Sequence, residues 1–228
     1  MYYILYIMFE GHYNGWIKSR MLGIKKYMDI ENLNGKTLLE LGCGHGHNGN
    51  EFYNLGCKVT SRDARCEHIQ EGKIKYPYIN FGIFDCDKEK INKKYDIILH
   101  WGLLYHLNEI ENHLANVCKN CDIILLETEV SDSDDENFYI VVNESRDGYD
   151  KAYNLRSLRP SPKYVEKVLS NNGFKYFMIT DPIINSQQHI YDWKIKNKKI
   201  WKNGMRRFWI CWNKNVDEKQ LFKINVLV

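Results

Sequence analysis

Seven consecutive residues, Glu40-Leu41-Gly42-Cys43-Gly44-His45-Gly46, constrain this chain more than any other stretch. They follow the apolar run Thr37-Leu38-Leu39-Glu40-Leu41 and precede a stretch of helical character from about Gly46 to Leu55. Glycine at alternating steps removes the Cβ atoms that would keep a ligand away from the backbone, and it permits the positive φ angles of a tight turn. Strand, glycines and helix in that order form a small-molecule cradle, a stronger signal than a glycine pattern alone. A nicotinamide-binding turn is GxGxxG, which from Gly42 requires glycine at position 47. The chain has His47 there, so the dehydrogenase reading loses its fingerprint.

The flanking sequence alternates short apolar runs with polar helical stretches, the pattern of βα units around a parallel sheet. Strands are predicted at Thr37–Leu41, Cys57–Ser61, Ile79–Ile83, Tyr95–Trp101, Ile123–Leu126, Phe174–Thr180 and Arg207–Trp212. Helices are predicted from Arg65 to about Lys75 and from Glu109 to Val117. A further helix begins at Ser161-Pro162, with proline at its first position, and stops at Gly173. Another, around Trp16 to Met28, lies in an N-terminal cover (residues 1–35) expected to close over the ligand pocket of the remaining domain (36–228). Two segments, about 130–159 and 181–205, fit neither pattern and are expected to be insertions facing a second ligand, because connections gather beyond the carboxyl ends of such strands.

At 228 residues the chain suits one α/β domain, and 27% charged against 44% apolar side chains is a globular composition. A net charge of +3, from 32 basic and 29 acidic residues, is too small to imply a nucleic-acid partner and does not exclude one. The apolar opening Tyr2–Phe9 falls short of the ~20 residues of a membrane span and lacks the features of a signal peptide, so no membrane partner and a cytoplasmic location are expected. Seven cysteines without dense spacing point to reduced thiols, and the CxxC of Cys118 and Cys121 lacks two matching ligands, so no metal is expected.

The acid-x-GxGxG form resembles motif I of class I S-adenosylmethionine-dependent methyltransferases. That resemblance implies a Rossmann-like three-layer α/β sandwich, with a seven-stranded, mostly parallel sheet whose last strand is inserted antiparallel. It implies S-adenosyl-L-methionine as cofactor and S-adenosyl-L-homocysteine as product. Glu40, Gly42, Gly44 and Gly46 would meet the methionine part, and Asp63 after the second strand would accept from the ribose hydroxyls. Asp85 after the third strand would accept from the adenine amino group, with the Cys86 N–H on the ring; Asp87 is its competitor. Trp101-Gly102 ends the fourth strand, and the following Leu103-Leu104-Tyr105-His106 resembles a subset with a Gly-x-Leu-Tyr-His signature. That subset includes tRNA wobble-uridine carboxymethyltransferases and small-molecule O-methyltransferases. The resemblance covers most of residues 16–178, with motif I its most specific part.

An activated methyl donor leaves the protein to align the acceptor, exclude water and remove a proton. His106 is the best proton acceptor at the expected acceptor position, and ordering the loop is its competing role. Tyr105 reads as either a substrate contact or a packing aromatic. Glu127 is expected to orient His106 or bind substrate, and Arg156 and Arg159 to form an anion or sugar contact set. His45 and His47 read as solvent-facing residues at a helix start, and Asp132, Asp134, Asp135 and Glu136 as a solvated acidic loop. Trp193 to Arg207 interleaves lysines and arginines with tryptophans. It reads either as an RNA grip or as an amphipathic helix and edge strand. The expected function is methyl transfer to an oxygen or nitrogen of a small molecule, with sugars foremost. The rivals are an RNA-modifying carboxymethyltransferase, with Arg20 or Arg156 holding an extra carboxylate, and a non-catalytic cofactor-binding regulator. Oligomeric state is not legible.

Overall fold

Adjacent residues of the apolar runs are buried on opposite sides of one sheet. In β1 (Thr37–Leu41), Leu38 packs with Ile24 and Met28 at the end of α1 (Tyr2–Tyr27), Phe52 of α2 (His47–Asn54) and Ile69 of α3 (Cys66–Lys75). Leu39 packs on the other side with Leu114 and Val117 of α4 (Ile110–Lys119) and with Val165 and Leu169 of α5 (Pro162–Asn171). A strand covered on both faces needs no polar side, which is why these runs read as continuously apolar. The computed structural model describes residues 2–144, 151–187, 189–202 and 204–223, with side chains from residue 14 onward.

The remaining strands are β2 (Lys58–Asp63), β3 (Asn80–Ile83), β4 (Tyr95–Trp101), β5 (Cys121–Glu129), β6 (Tyr139–Asn143), β7 (Arg156–Pro160), β8 (Phe174–Met178) and β9 (Arg206–Asn213). Seven of the nine form one sheet in the order β3-β2-β1-β4-β5-β9-β8. β1 to β5 run parallel, and β9 is antiparallel to both its neighbours, with Ile123 opposite Trp212 and Glu129 opposite Arg206. The fold is the Rossmann-like sandwich expected. β1 and β4 lead to opposite halves of the sheet, and the crevice beyond their carboxyl ends is where such sheets hold ligands.

Helix boundaries follow local chemistry. Ser161 accepts a hydrogen bond from the Tyr164 N–H at 2.9 Å to cap α5, and Pro162 occupies its first turn. α1 lies against the segment after β8. Tyr27 donates from its hydroxyl to Asp181 at 2.8 Å, and Lys26 pairs with the same carboxylate. Among the described residues no helix is long and apolar enough to cross a membrane.

Two expectations need correction. The insertion expected without strands contains the antiparallel pair β6–β7, with Ser157, Leu158 and Arg159 of β7 buried. The Trp193–Arg207 stretch contains no amphipathic helix and no edge strand: residues 185–202 are irregular where described, and β9 is flanked on both sides. Asp132 is the cause. It is buried, not solvated, and its carboxylate accepts from the Lys196 N–H at 2.6 Å and the Lys198 N–H at 3.1 Å, holding that backbone open. Asp134, Asp135 and Glu136 are exposed, as expected. Residues 145–150 of the first insertion, and 188 and 203 of the second, lie outside the described residues.

Candidate functional site

A cleft opens at the carboxyl ends of β1 to β4. It is lined by the glycine loop, the turns after β2 and β3, the segment after β4, and Trp16 and Arg20 of α1, which form a wall. Of the residues singled out in the sequence, Gly42, Gly44, Asp63, Asp85, Cys86, Trp101, Gly102, Tyr105, His106 and Arg20 all line it.

Gly42, Gly44 and Gly46 of the loop all have positive φ, and two of them show why glycine is needed. Gly44 has φ +51°, and no atom lies within 4 Å of where its Cβ would stand, so its backbone is open to the cleft. Gly46 has φ +82°, and a Cβ there would come within 2.4 Å of the Phe81 ring. Gly46 caps α2 and packs beneath the loop, so it is not part of the lining. Glu40 is also below the loop, fully buried, accepting from the Ser61 hydroxyl at 2.7 Å.

Burial pushes the Glu40 carboxyl up to about 7, against the hydrogen bond from Ser61. Below the ordinary glutamate range the group is protonated in both folded and unfolded chains. Between there and pH 7 only the unfolded chain ionises, so stability falls as pH rises and levels off above 7. Glu40→Gln is expected to remove that slope. The stability difference between wild type and variant should change by about 3 kcal/mol between pH 4.5 and pH 8, measured by urea denaturation at each pH. A constant difference would mean that Glu40 is ionised throughout.

Asp63 ties the loops together. One carboxylate oxygen accepts from the Gly44 N–H at 2.9 Å, and the other from the Arg65 N–H at 2.9 Å, with His68 Nδ1 at 3.2 Å. After β3, Asp85 accepts from the Asp87 N–H at 3.0 Å. Asp87 is committed to structure: it accepts from the Asn108 N–H at 2.9 Å and from the Asn154 amide at 2.9 Å. The Cys86 carbonyl is held from behind by His113 Nδ1 at 3.3 Å. His113 meets His100 of β4 at 2.8 Å between Nε2 atoms, and burial pushes His113 down to about 4. On the wall, the Arg20 guanidinium lies 3.8 Å from the Trp16 ring and 4.6 Å from that of Trp101, and donates to Asn48 at 3.1 Å.

In the segment after β4, His106 Nδ1 lies 3.3 Å from Glu144 Oε1. A carboxylate can only accept, so Nδ1 carries the proton and Nε2 is left as the ring's acceptor. Burial works against the Glu144 charge. The hydrogen bond and charge of His106, with the Ala152 N–H and the Ser157 hydroxyl, nonetheless hold its carboxyl well below the usual range. Behind this pair a line of alternating charges runs through the interior. Arg159 donates to Glu144 at 3.0 Å and to Glu129 at 2.7 Å, and Arg206 donates to Glu129 at 3.1 Å and to Glu127 at 2.9 Å. Glu127 lies 3.8 Å from Arg20, so the line ends in the cleft wall. Tyr105 is built into it, its hydroxyl accepting from Arg206 at 3.2 Å and its carbonyl from Arg159 at 2.6 Å.

Several assignments change as a result. Glu127 does not orient His106; Glu144 does, and Glu127 holds Arg206. Arg159 stands behind the lining, and Arg156 is exposed at the start of β7, away from the cleft. His45 is buried in the lining, not solvent-facing, and His47 meets the Tyr76 hydroxyl at 2.8 Å. Sequence reasoning passed over Arg65, His68, Glu144 and Asn154. Arg65 and His68 could have been sought at the helix start after Asp63, whereas nothing local marks Glu144 or Asn154. Among the described residues no group of three or more His, Cys, Asp or Glu could hold a metal, and all seven cysteines are free thiols.

Residues 13–179 match the family described as Methyltransferase domain, and the chain belongs to that family. A protein of Invertebrate iridescent virus 6 named as a methyltransferase (235L) is 29% identical over 105 residues, 43% of this chain. The match spans only 40% of that relative's length. The fold is similar to the N-terminal domain of EvdMO1 with S-adenosylhomocysteine bound, with a TM-score of 0.64 and 15% identity over 80% of this chain and 76% of that one. It is also similar to magnesium protoporphyrin IX methyltransferase from Synechocystis with bound S-adenosylmethionine, with a TM-score of 0.51 and 14% identity over 80% and 72%.

Proposed function

We propose that this protein transfers a methyl group from S-adenosylmethionine to a hydroxyl oxygen of a small molecule, a sugar or sugar-bearing metabolite first among candidates. The observation that carries the choice of oxygen is the His106–Glu144 pair, with His106 in the lining of the cleft. A hydroxyl must lose its proton as it attacks, and an imidazole held in one tautomer by a carboxylate can take it. The residues present fit the cofactor: an open backbone at Gly44, a carboxylate after β2 at Asp63 and another after β3 at Asp85. When bound, the cofactor supplies an electrophilic methyl on a sulfonium.

In this reading the Gly42–Gly44 backbone and Arg20 receive the amino-acid part, the guanidinium taking its carboxylate. Asp63 receives the ribose hydroxyls, and Asp85 and the Cys86 N–H the base. Trp16, Trp101 and Tyr105 exclude water and give the acceptor an apolar wall. His106 Nε2 takes the acceptor's proton, and Glu144 holds the ring and stabilises its charged form.

Calorimetric titration with S-adenosylmethionine and S-adenosylhomocysteine tests the base of the proposal. Wild type is expected to bind both, and Asp63→Ala to bind about tenfold or more weakly, since a charged hydrogen-bond acceptor for two hydroxyls is lost. Radiolabelled methyl transfer to a panel of sugars and phenols then tests the acceptor class. Absence of binding by the wild type would overturn the proposal, and transfer to amines but no hydroxyl would overturn the choice of oxygen.

A further inference from the structure

The first insertion does more than carry Glu144. Past β6 and the Glu144 carboxylate, residues 151–154 reach the cleft beside the turns after β2 and β3. This short segment is fastened three times. The Lys151 carbonyl accepts from Arg65 Nη2 at 2.9 Å, the Ala152 N–H donates to Glu144 at 2.7 Å, and the Asn154 amide donates to Asp87 at 2.9 Å. Between these anchors stands Tyr153, which lines the cleft with 52% of its surface exposed. Two cations flank its ring, with Arg65 Cζ 5.8 Å and Lys88 Nζ 6.0 Å from the centroid.

An aromatic ring held by tethered backbone on both sides, yet half exposed, gains only part of the burial open to it in the free protein. Its position gives it a use: it lines the cleft together with Asp85 and Cys86, where a flat heterocycle has only edge contacts from those residues. We infer that Tyr153 is a stacking platform for the adenine of the cofactor, supplied by the insertion and not by the sheet. The inference rests on the cofactor assignment proposed above. A face-on aromatic contact is insensitive to base identity, so Tyr153 supplies affinity while Asp85 and the Cys86 N–H read the base edge.

The test is calorimetry of wild type, Tyr153→Phe, Tyr153→Trp and Tyr153→Leu with S-adenosylhomocysteine and with adenosine. Tyr153→Leu keeps apolar bulk but has no π face, and both ligands are expected to bind it roughly tenfold or more weakly. Tyr153→Phe and Tyr153→Trp are expected to stay within about twofold, because stacking needs a ring and not a hydroxyl. Undiminished binding by Tyr153→Leu in a protein whose wild type binds would overturn this inference and leave the cofactor assignment standing. Loss in Tyr153→Phe equal to that in Tyr153→Leu would overturn stacking in favour of a hydroxyl contact. Failure of the wild type to bind either ligand would overturn the cofactor assignment itself, and this inference with it. Far-ultraviolet circular dichroism and thermal melts verify that each variant is folded, and the exposure of residue 153 favours that.

Discussion

His106→Ala is expected to lower turnover of a hydroxyl acceptor about a hundred- to ten-thousandfold while leaving S-adenosylhomocysteine affinity unchanged. The imidazole is one residue beyond Tyr105, with ring centroids 4.0 Å apart, and it contacts no part of the Gly42–Gly44 loop or of Asp63 through a hydrogen bond described above. Its removal therefore takes away the proton acceptor without disturbing the groups assigned to the cofactor. Glu144→Gln is expected to give a smaller loss, because the amide still occupies the site but cannot stabilise the ring when it charges. Added imidazole should restore part of the activity of His106→Ala, a result that a purely loop-ordering histidine would not produce. Full activity in His106→Ala would remove the base from the mechanism and turn attention to acceptors that need no deprotonation.

Arg206→Met is expected to destabilise the fold by about 3–5 kcal/mol, the usual cost of removing one member of a buried ion pair. Arg206 is 3% exposed and is the only described hydrogen-bond donor that joins Glu127 to Glu129. Without it two carboxylates remain buried on one strand, Glu129 with Arg159 at 2.7 Å and Glu127 with only Arg20 at 3.8 Å. Arg206→Lys should recover little, since an ammonium cannot bridge two carboxylates as the planar fork does. Urea denaturation at pH 7 measures the loss. A cost under about 1 kcal/mol at pH 7 would mean that the carboxylates are neutralised in some other way.

The parts of the fold legible in the sequence are those fixed by short-range rules. The runs at Thr37–Leu41 and Tyr95–Trp101 are strands at the residues expected, because burial on both faces leaves an unbroken apolar signature. The α5 start at Ser161-Pro162 is equally local. The glycine loop and its acid partners line the cleft because a strand end followed by glycine leaves little geometric choice. What escaped depends on contacts far apart in the chain. Glu144 meets His106 across 38 residues, and Asn154 meets Asp87 across 67. Asp132 sits in an acidic run that reads as solvated, yet two backbone N–H groups 64 and 66 residues away desolvate it and prevent the lysine-rich stretch from coiling. Glu127 shows the same effect in reverse: its place after a strand suggested a ligand-facing role, and an arginine 79 residues on claimed it instead.

The position of β9 also has a bearing on synthesis. It lies between β5 and β8 and is the last strand of the sheet to leave the ribosome. Until it emerges, β8 has no neighbour to pair with, and Glu127 and Glu129 wait on β5 without the guanidinium that bridges them. The half made of β1 to β4 can assemble as it is made, whereas the half holding Glu127 and Glu129 cannot close until Arg206 has been added. A nascent chain stalled before that residue would combine a formed glycine loop with an open sheet edge along β5. Completing β9 is thus the step that joins β8 to the rest of the sheet.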